Sequence, residues 1–138
     1  MHKINSQSLT AILTSEKNNK GAAFTVKSKR TGKDYTYKIK RSEYNGVWYT
    51  HIYVETTYLK FTHLGVYFNG IITKNKKVVD SPSAIAIAFV LHKTSREQFE
   101  YLNDNVDIMH LGSCIKCGKT LTDAQSIENG LGPICSNY

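Results

Sequence analysis

Between residues 22 and 75 the chain alternates apolar and polar side chains with a period of two, and this limits the fold more than any other feature. Successive side chains of a strand point to opposite faces, so the pattern demands sheet with one buried face and one wetter face. In "AAFTVKSK", Phe24 and Val26 share one face, and Thr25 and Lys27 the other. "RTGK" follows, and its Gly32 can supply the positive φ of a tight turn. "DYTYKIKR" sets Tyr35, Tyr37 and Ile39 against Thr36, Lys38 and Lys40. "VWYTHIYVETTYLKF" is β-branched and aromatic throughout and reads as one long strand. There Trp48, Thr50, Ile52 and Val54 oppose Tyr49, His51, Tyr53 and Glu55. "FTHLGVYF" and "IITK" flank Asn69-Gly70, a pair suited to a type I′ hairpin turn.

The period changes at "DSPSAIAIAFVLHK". Ser81 can cap a helix, Pro82 suits its first turn, and Ile85, Ala88, Phe89 and His92 recur at helical spacing. "TSREQFEYL" adds a further helical turn or two, with Ser95 and Gln98 as a capping box. Leu9, Ile12 and Leu13 fit a short helix after Ser8. The fold class expected is α+β: an antiparallel sheet of about five strands with one or two helices on one face. A chain of 138 residues is long enough to build a core for such a unit. The longest apolar run, "AIAIAFVL" at 84–91, falls far short of the roughly 20 residues of a membrane helix. The opening residues lack the apolar stretch of a secretion signal. The expectation is a cytoplasmic protein without a membrane partner, in a compartment where disulfides are rare.

All three cysteines, Cys114, Cys117 and Cys135, lie in the last 25 residues. The expected organisation is a strand-rich body over 1–105 and a metal-binding tail over 106–138 packed on it. A Cys-x2-Cys pair lets two thiolates reach one ion from a tight turn, and Gly118 permits backbone N–H groups to point at the Cys114 sulfur. Cys135 follows after 17 residues, within the range of known zinc sites. Zinc takes four N/S ligands, so a fourth is required. His110, separated from Cys114 by three residues and at the end of a strand-like "VDIMH", is the local choice; His63 and His92 are rivals from the body. "LTDAQSIENG" reads as a short helix, with Thr122 and Gln125 as capping box and Gly130 as C-cap. The segment from His110 onward is too short for a core of its own, and zinc can supply on the order of 10 kcal/mol of folding energy to such a piece. The metal is expected to be structural. A redox Cys pair would follow a strand of a parallel α/β fold, and a nucleophilic Cys needs no cluster of three thiols.

Net charge is +7, divided unevenly: residues 1–77 carry +10 and residues 78–138 carry −3. Nine of the cations fall within residues 17–41, against one acid, Asp34. If the apolar face of the first hairpin packs inward, Lys27, Lys29, Lys38 and Lys40 form an outward stripe, with Arg30 and Arg41 beside it. Like charges on paired strands repel unless an anionic partner meets them. The same lysines can equally serve as a solvated edge. Tyr49 and Tyr53 on the outer face are candidate anchors for a partner.

The tail "HLGSCIKCGKTLTDAQSIENGLGPIC" resembles one found in small, mostly uncharacterised bacteriophage proteins. The shared positions are His110, Cys114, Cys117, Gly118, Leu121, Thr122, Ser126, Gly130, Gly132, Pro133 and Cys135. Lys119 departs from the pattern, where Arg is common. "FTVKSKRTGKDYTYKI" resembles more loosely the body that often precedes this tail. The resemblance implies a phage origin and a bound metal. Some phage proteins of this size inhibit host defence, including metal-binding anti-CRISPR proteins that block the Cas9 nuclease. It thus implies a non-enzymatic, zinc-stabilised inhibitor of a host defence protein or nucleoprotein that handles nucleic acid. The alternative is direct binding of DNA or RNA through the basic hairpin, with lysines on phosphates and aromatic rings stacked on bases.

Overall fold

The computed structural model describes residues 2–14, 23–58, 60–68, 71–74 and 81–132. After a short strand β1 (His2–Lys3), a 3-10 turn over Ser6–Ser8 and helix α1 (Leu9–Thr14), the alternating region folds as a meander. It comprises β2 (Ala23–Ser28), β3 (Asp34–Tyr44), β4 (Val47–Thr57), β5 (Lys60–Phe68) and β6 (Ile71–Lys74). Helices α2 (Pro82–Ser95) and α3 (Phe99–Asn105), strand β7 (Val106–His110) and helix α4 (Ala124–Asn129) follow. The seven strands form one antiparallel sheet in the order β1-β7-β2-β3-β4-β5-β6. The α+β expectation is met, with five strands in the alternating region, one before it (β1) and one after it (β7).

The faces are those the alternation assigns. Phe24, Val26, Tyr37, Ile39, Ile52 and Val54 are buried on one side. With them in the core are Ala84, Ile87, Val90 and Leu91 of α2, together with Leu9 and Leu102. Ser81 caps α2, its Oγ accepting from the Ala84 N–H at 3.3 Å, and Pro82 opens the helix. The Tyr37 hydroxyl donates to the Ser83 carbonyl at 2.7 Å, which fixes the start of α2 over β3. Burial holds that hydroxyl protonated far above the ordinary tyrosine range.

Several local expectations are corrected. The run read as one long strand breaks at Tyr58, an 85% exposed residue, and Phe61, which closes that run and opens the next, belongs to β5. Ser95 does not cap α3: it ends α2 and its hydroxyl donates to the His92 carbonyl, while Gln98 makes no side-chain cap. The cap of α4 is Asp123, whose carboxylate accepts from the Ser126 N–H at 3.1 Å, and not Thr122. The β3–β4 turn is Asn45-Gly46, both at positive φ, as a type I′ hairpin requires. Asn69 and Gly70 lie outside the described residues, between the paired Phe68 and Ile71. In β5 a bulge opposite Ile52 and Tyr53 inserts Leu64, whose side chain is buried while Gly65 occupies the paired position.

On either side of residue 105 the described residues share one sheet and one core. Strand β7 is hydrogen-bonded on both sides, to β1 and to β2, and so lies within the sheet. Cys114, Ile115, Leu121 and Leu131 join the same core as the strands. The tail therefore has an apolar base, which its short length did not suggest. Gly130 closes α4 at φ 70°, and a Cβ there would stand 2.6 Å from Cγ2 of Ile4. Ile4 in turn is tied to β7 through its N–H to the Ile108 carbonyl at 2.8 Å. Gly130→Ala should therefore destabilise the protein by about 1–3 kcal/mol in chemical denaturation, from left-handed strain and the Ile4 clash. A change within about 0.5 kcal/mol would show that the tail is not packed against Ile4 in solution.

Candidate functional site

Two arrangements carry chemistry. The first is the turn that follows β7. Ser113 and Thr120 form an antiparallel bridge, and inside it the Cys114 N–H donates to the Lys119 carbonyl at 2.8 Å. The Gly118 N–H returns to the Cys114 carbonyl at 2.9 Å, with Gly118 at φ 81°. This is a tight turn, or knuckle, in which Gly118 takes the left-handed conformation that its place after the Cys-x2-Cys pair suits. Cys114 is buried, Cys117 half-buried, and both are free thiols. Burial alone pushes the Cys114 thiol up. Backbone N–H groups of Cys117, Gly132 and Lys116, aided by the Cys117 side chain, outweigh it and lower the thiol below its ordinary value. Such donors favour a thiolate. The Gly132 donor also brings the chain back to Cys114 three residues before Cys135.

That donor set fits a zinc ion: two thiols on one tight turn, one already met by backbone N–H groups, and a third thiol three positions after Gly132 in the sequence. Cys135 lies outside the described residues. Among the described residues no group of three His, Cys, Asp or Glu side chains converges on a common point. His110 is placed differently from its expected ligand role. It is fully buried, its Nδ1 accepts from the Gly112 N–H at 2.9 Å, and its Nε2 donates to the Ile127 carbonyl at 2.7 Å. Both ring nitrogens thus hold backbone, joining the knuckle to α4, and the ring stacks on His2 at 5.0 Å. The rivals do not reach the knuckle either: His63 bonds within the sheet and His92 is exposed on α2.

The second arrangement is the sheet face turned away from α2. Over β3–β5 it presents Lys38, Lys40, Tyr49, His51, Tyr53, Phe61 and His63, of which Lys40 is exposed and the others half-buried. The Lys38 ammonium lies 4.4 Å from the centre of the Phe61 ring. His51 and His63 meet at 3.4 Å, Nδ1 to Nε2, and His51 Nε2 lies 3.0 Å from the Ser42 hydroxyl. Tyr53 meets His63 edge-on at 5.2 Å. The rings form a shelf to which β4 supplies Tyr49, His51 and Tyr53, and β5 supplies Phe61 and His63. Sequence alternation placed the first three here. The β5 pair was read only as part of the run "FTHLGVYF", with no face assigned to either residue.

The basic residues expected as one stripe are divided. Register sets Lys27 opposite Asp34 and Lys38 opposite Ala23, so the two lysine pairs sit at opposite ends of the hairpin. Lys29 donates to the Asn103 carbonyl and lies 3.8 Å from Asp107, which Lys3 also approaches at 3.5 Å. Arg41 shares the parity of Tyr37 and Ile39 and lies 5.9 Å from Trp48, on the helix side of the sheet. Arg30 stands exposed in the β2–β3 turn. Of the expected stripe, Lys38 and Lys40 alone share the aromatic shelf with Tyr49 and Tyr53.

Comparison with known proteins gives one partial likeness: residues 107–137, the β7 strand and the tail, match a family of unknown function, DUF6011. No curated protein and no solved structure matches. No helix among the described residues is long and apolar enough to cross a membrane.

The His pair gives a pH prediction. Burial first, then the neighbouring His63 and Lys40, hold the His51 pKa below its usual 6.5. The folded state therefore takes up the His51 proton less readily than the unfolded chain, so the stability linked to His51 is full above that usual value and falls as pH drops below it. An NMR titration should find His51 protonating below the ordinary histidine range, and His63→Ala should raise its midpoint. An unchanged midpoint in that variant would separate the two rings.

Proposed function

We propose that this chain is a metal-stabilised binding protein, without catalysis of its own, whose aromatic sheet face takes single-stranded nucleic acid. The observation that carries this reading is the meeting of Lys38 and Lys40 with five rings on one accessible face. Rings of this kind stack on bases of any sequence, and ammonium groups meet the phosphates. An extended strand laid across β3–β5 would meet Tyr49 and Tyr53 in turn, as outward residues of β4. The same face would meet a host nucleic-acid-handling effector, the anti-CRISPR type of inhibition that the tail's resemblance implies. Anisotropy with labelled single-stranded DNA and RNA tests the reading. Binding should weaken with salt. Lys38→Glu/Lys40→Glu should flatten the log–log salt slope by about 1.4, or about 0.7 for each phosphate left without its lysine. Tyr53→Ala should weaken binding by about tenfold. Oligonucleotides that do not bind, or that bind the double variant as well as the parent, would defeat the reading and leave a protein effector as the partner.

The metal belongs to the same proposal. Zinc held by the thiolates of Cys114, Cys117 and Cys135 would supply folding energy to the tail. His110 in this reading is a positioning residue that fastens the knuckle to α4. Protein purified without chelators should hold about one zinc per chain. Cys117→Ser and Cys135→Ser should each lose most of it, while His110→Gln should retain it and lower thermal stability. Loss of zinc in His110→Gln equal to that of the cysteine variants would return His110 to the ligand set.

A further inference from the structure

The helix side of the sheet holds a feature that the nucleic-acid face does not use. Where α2 leaves the β2–β3 hairpin, a groove of about 610 Å³ runs between them. Its apolar walls are Val26, Tyr35 and Val106 on one side and Ile85, Ala86 and Phe89 of α2 on the other. Ile85 is 54% exposed, and Phe89 and Tyr35 are half-buried, so these side chains keep apolar surface in water. Ile85 and Phe89 are four residues apart and lie on one helical row. Scattered exposed apolar residues need no explanation, but a concave, contiguous set does.

The charged residues that line the groove are of one sign. Arg30 and Lys33 line it from the hairpin turn, both exposed, and no described carboxylate lines it. Lys93 extends the basic rim beyond Phe89, its ammonium 5.9 Å from that ring and 4.8 Å from the ring of Tyr101. Of the acids next to lining residues, Asp104 is exposed on α3, and the other two are engaged or lie on the outer face. Asp107 is held between Lys3 and Lys29, and Asp34 shares the outer face with Lys27.

We propose that this groove docks an acidic amphipathic peptide segment of a partner protein. Apolar side chains one helical turn apart would bury against Ile85, Phe89 and Tyr35, while flanking carboxylates meet Arg30 and Lys33. The apolar floor supplies affinity, and the basic rim sets orientation and association rate. A nucleic-acid strand suits it poorly, because the phosphates would be drawn across apolar surface. The protein would thus carry two faces, one for a polyanion and one for a protein.

The test uses the full chain and three synthetic peptides with the same pair of leucines one turn apart. Their flanks are Asp and Glu, Asn and Gln, or Lys. The acidic peptide should bind in titration calorimetry at least about tenfold more tightly than the Lys peptide, with the amide peptide between. Ile85→Asp, at an exposed site in the first turn of α2, should weaken it by about tenfold or more and leave thermal stability and oligonucleotide binding unchanged. Arg30→Glu/Lys33→Glu should remove the preference for acidic flanks. Equal binding of all three peptides, or an Ile85→Asp variant that binds as the parent does, overturns the proposal. So does a concentration-dependent dimer in sedimentation that Ile85→Asp dissolves, since the occupant would then be a second copy of the chain.

Discussion

The structure depends on strand β7 taking its place between β1 and β2. On the β2 side it is paired from Val106 to His110, and on the β1 side Met109 and His110 are paired while the Ile108 carbonyl accepts from the Ile4 N–H. A strand held from both sides in this way lies inside the sheet, and most of its length is no longer an open edge. The cysteine turn begins immediately after it. The sheet therefore delivers the knuckle at a fixed position, and the first residues of the chain are locked to the last ones described. Ile4 sits at that junction, hydrogen-bonded to Ile108 and pressed against Gly130.

The knuckle shows how one small turn reconciles burial with charge. A thiol as deeply enclosed as Cys114 would stay neutral in apolar surroundings, because burial disfavours the charged form. Three backbone N–H groups reverse that preference. They are available because Gly118 adopts a left-handed conformation that a side chain resists, and because the chain returns through Gly132. His110 belongs to the same assembly. With one nitrogen accepting and the other donating, it holds the turn and α4 at a common distance. A buried imidazole that joins two backbone segments is a strut, and its value lies in geometry.

The two sides of the sheet divide the remaining chemistry. On the helix side, apolar side chains pack beneath α2 and stay open to water along the groove beside it. On the other side, the long strands β3 and β4 present half-buried rings and two lysines. The division follows from the two-residue period, which sends alternate side chains of one strand to different solvents. The balance of charge follows from register. Lys27 faces Asp34 across the hairpin, while Lys38 faces Ala23, so one lysine has an acid as its neighbour on β2–β3 pairing and the other has an alanine.

By itself the sequence determined which residues face inward along β2, β3 and β4, the cap of α2 at Ser81, the left-handed C-cap at Gly130 and the knuckle at Cys114 and Cys117. Each of these is a local matter: a period, a hydroxyl before a proline, a glycine where φ must be positive, two thiols three residues apart. Tertiary structure alone decided the rest. That β7 would enter the sheet, that Arg41 would turn away from Lys38 and Lys40, and that Phe61 and His63 would complete the shelf all depend on strand order, on a turn at Tyr58 and on a bulge at Leu64. The spacing of His110 from Cys114 made it a candidate ligand, but spacing carries no direction. Only the fold aims its ring nitrogens, at the Gly112 N–H and the Ile127 carbonyl, because a buried imidazole must satisfy both nitrogens with whatever the packed chain places beside it.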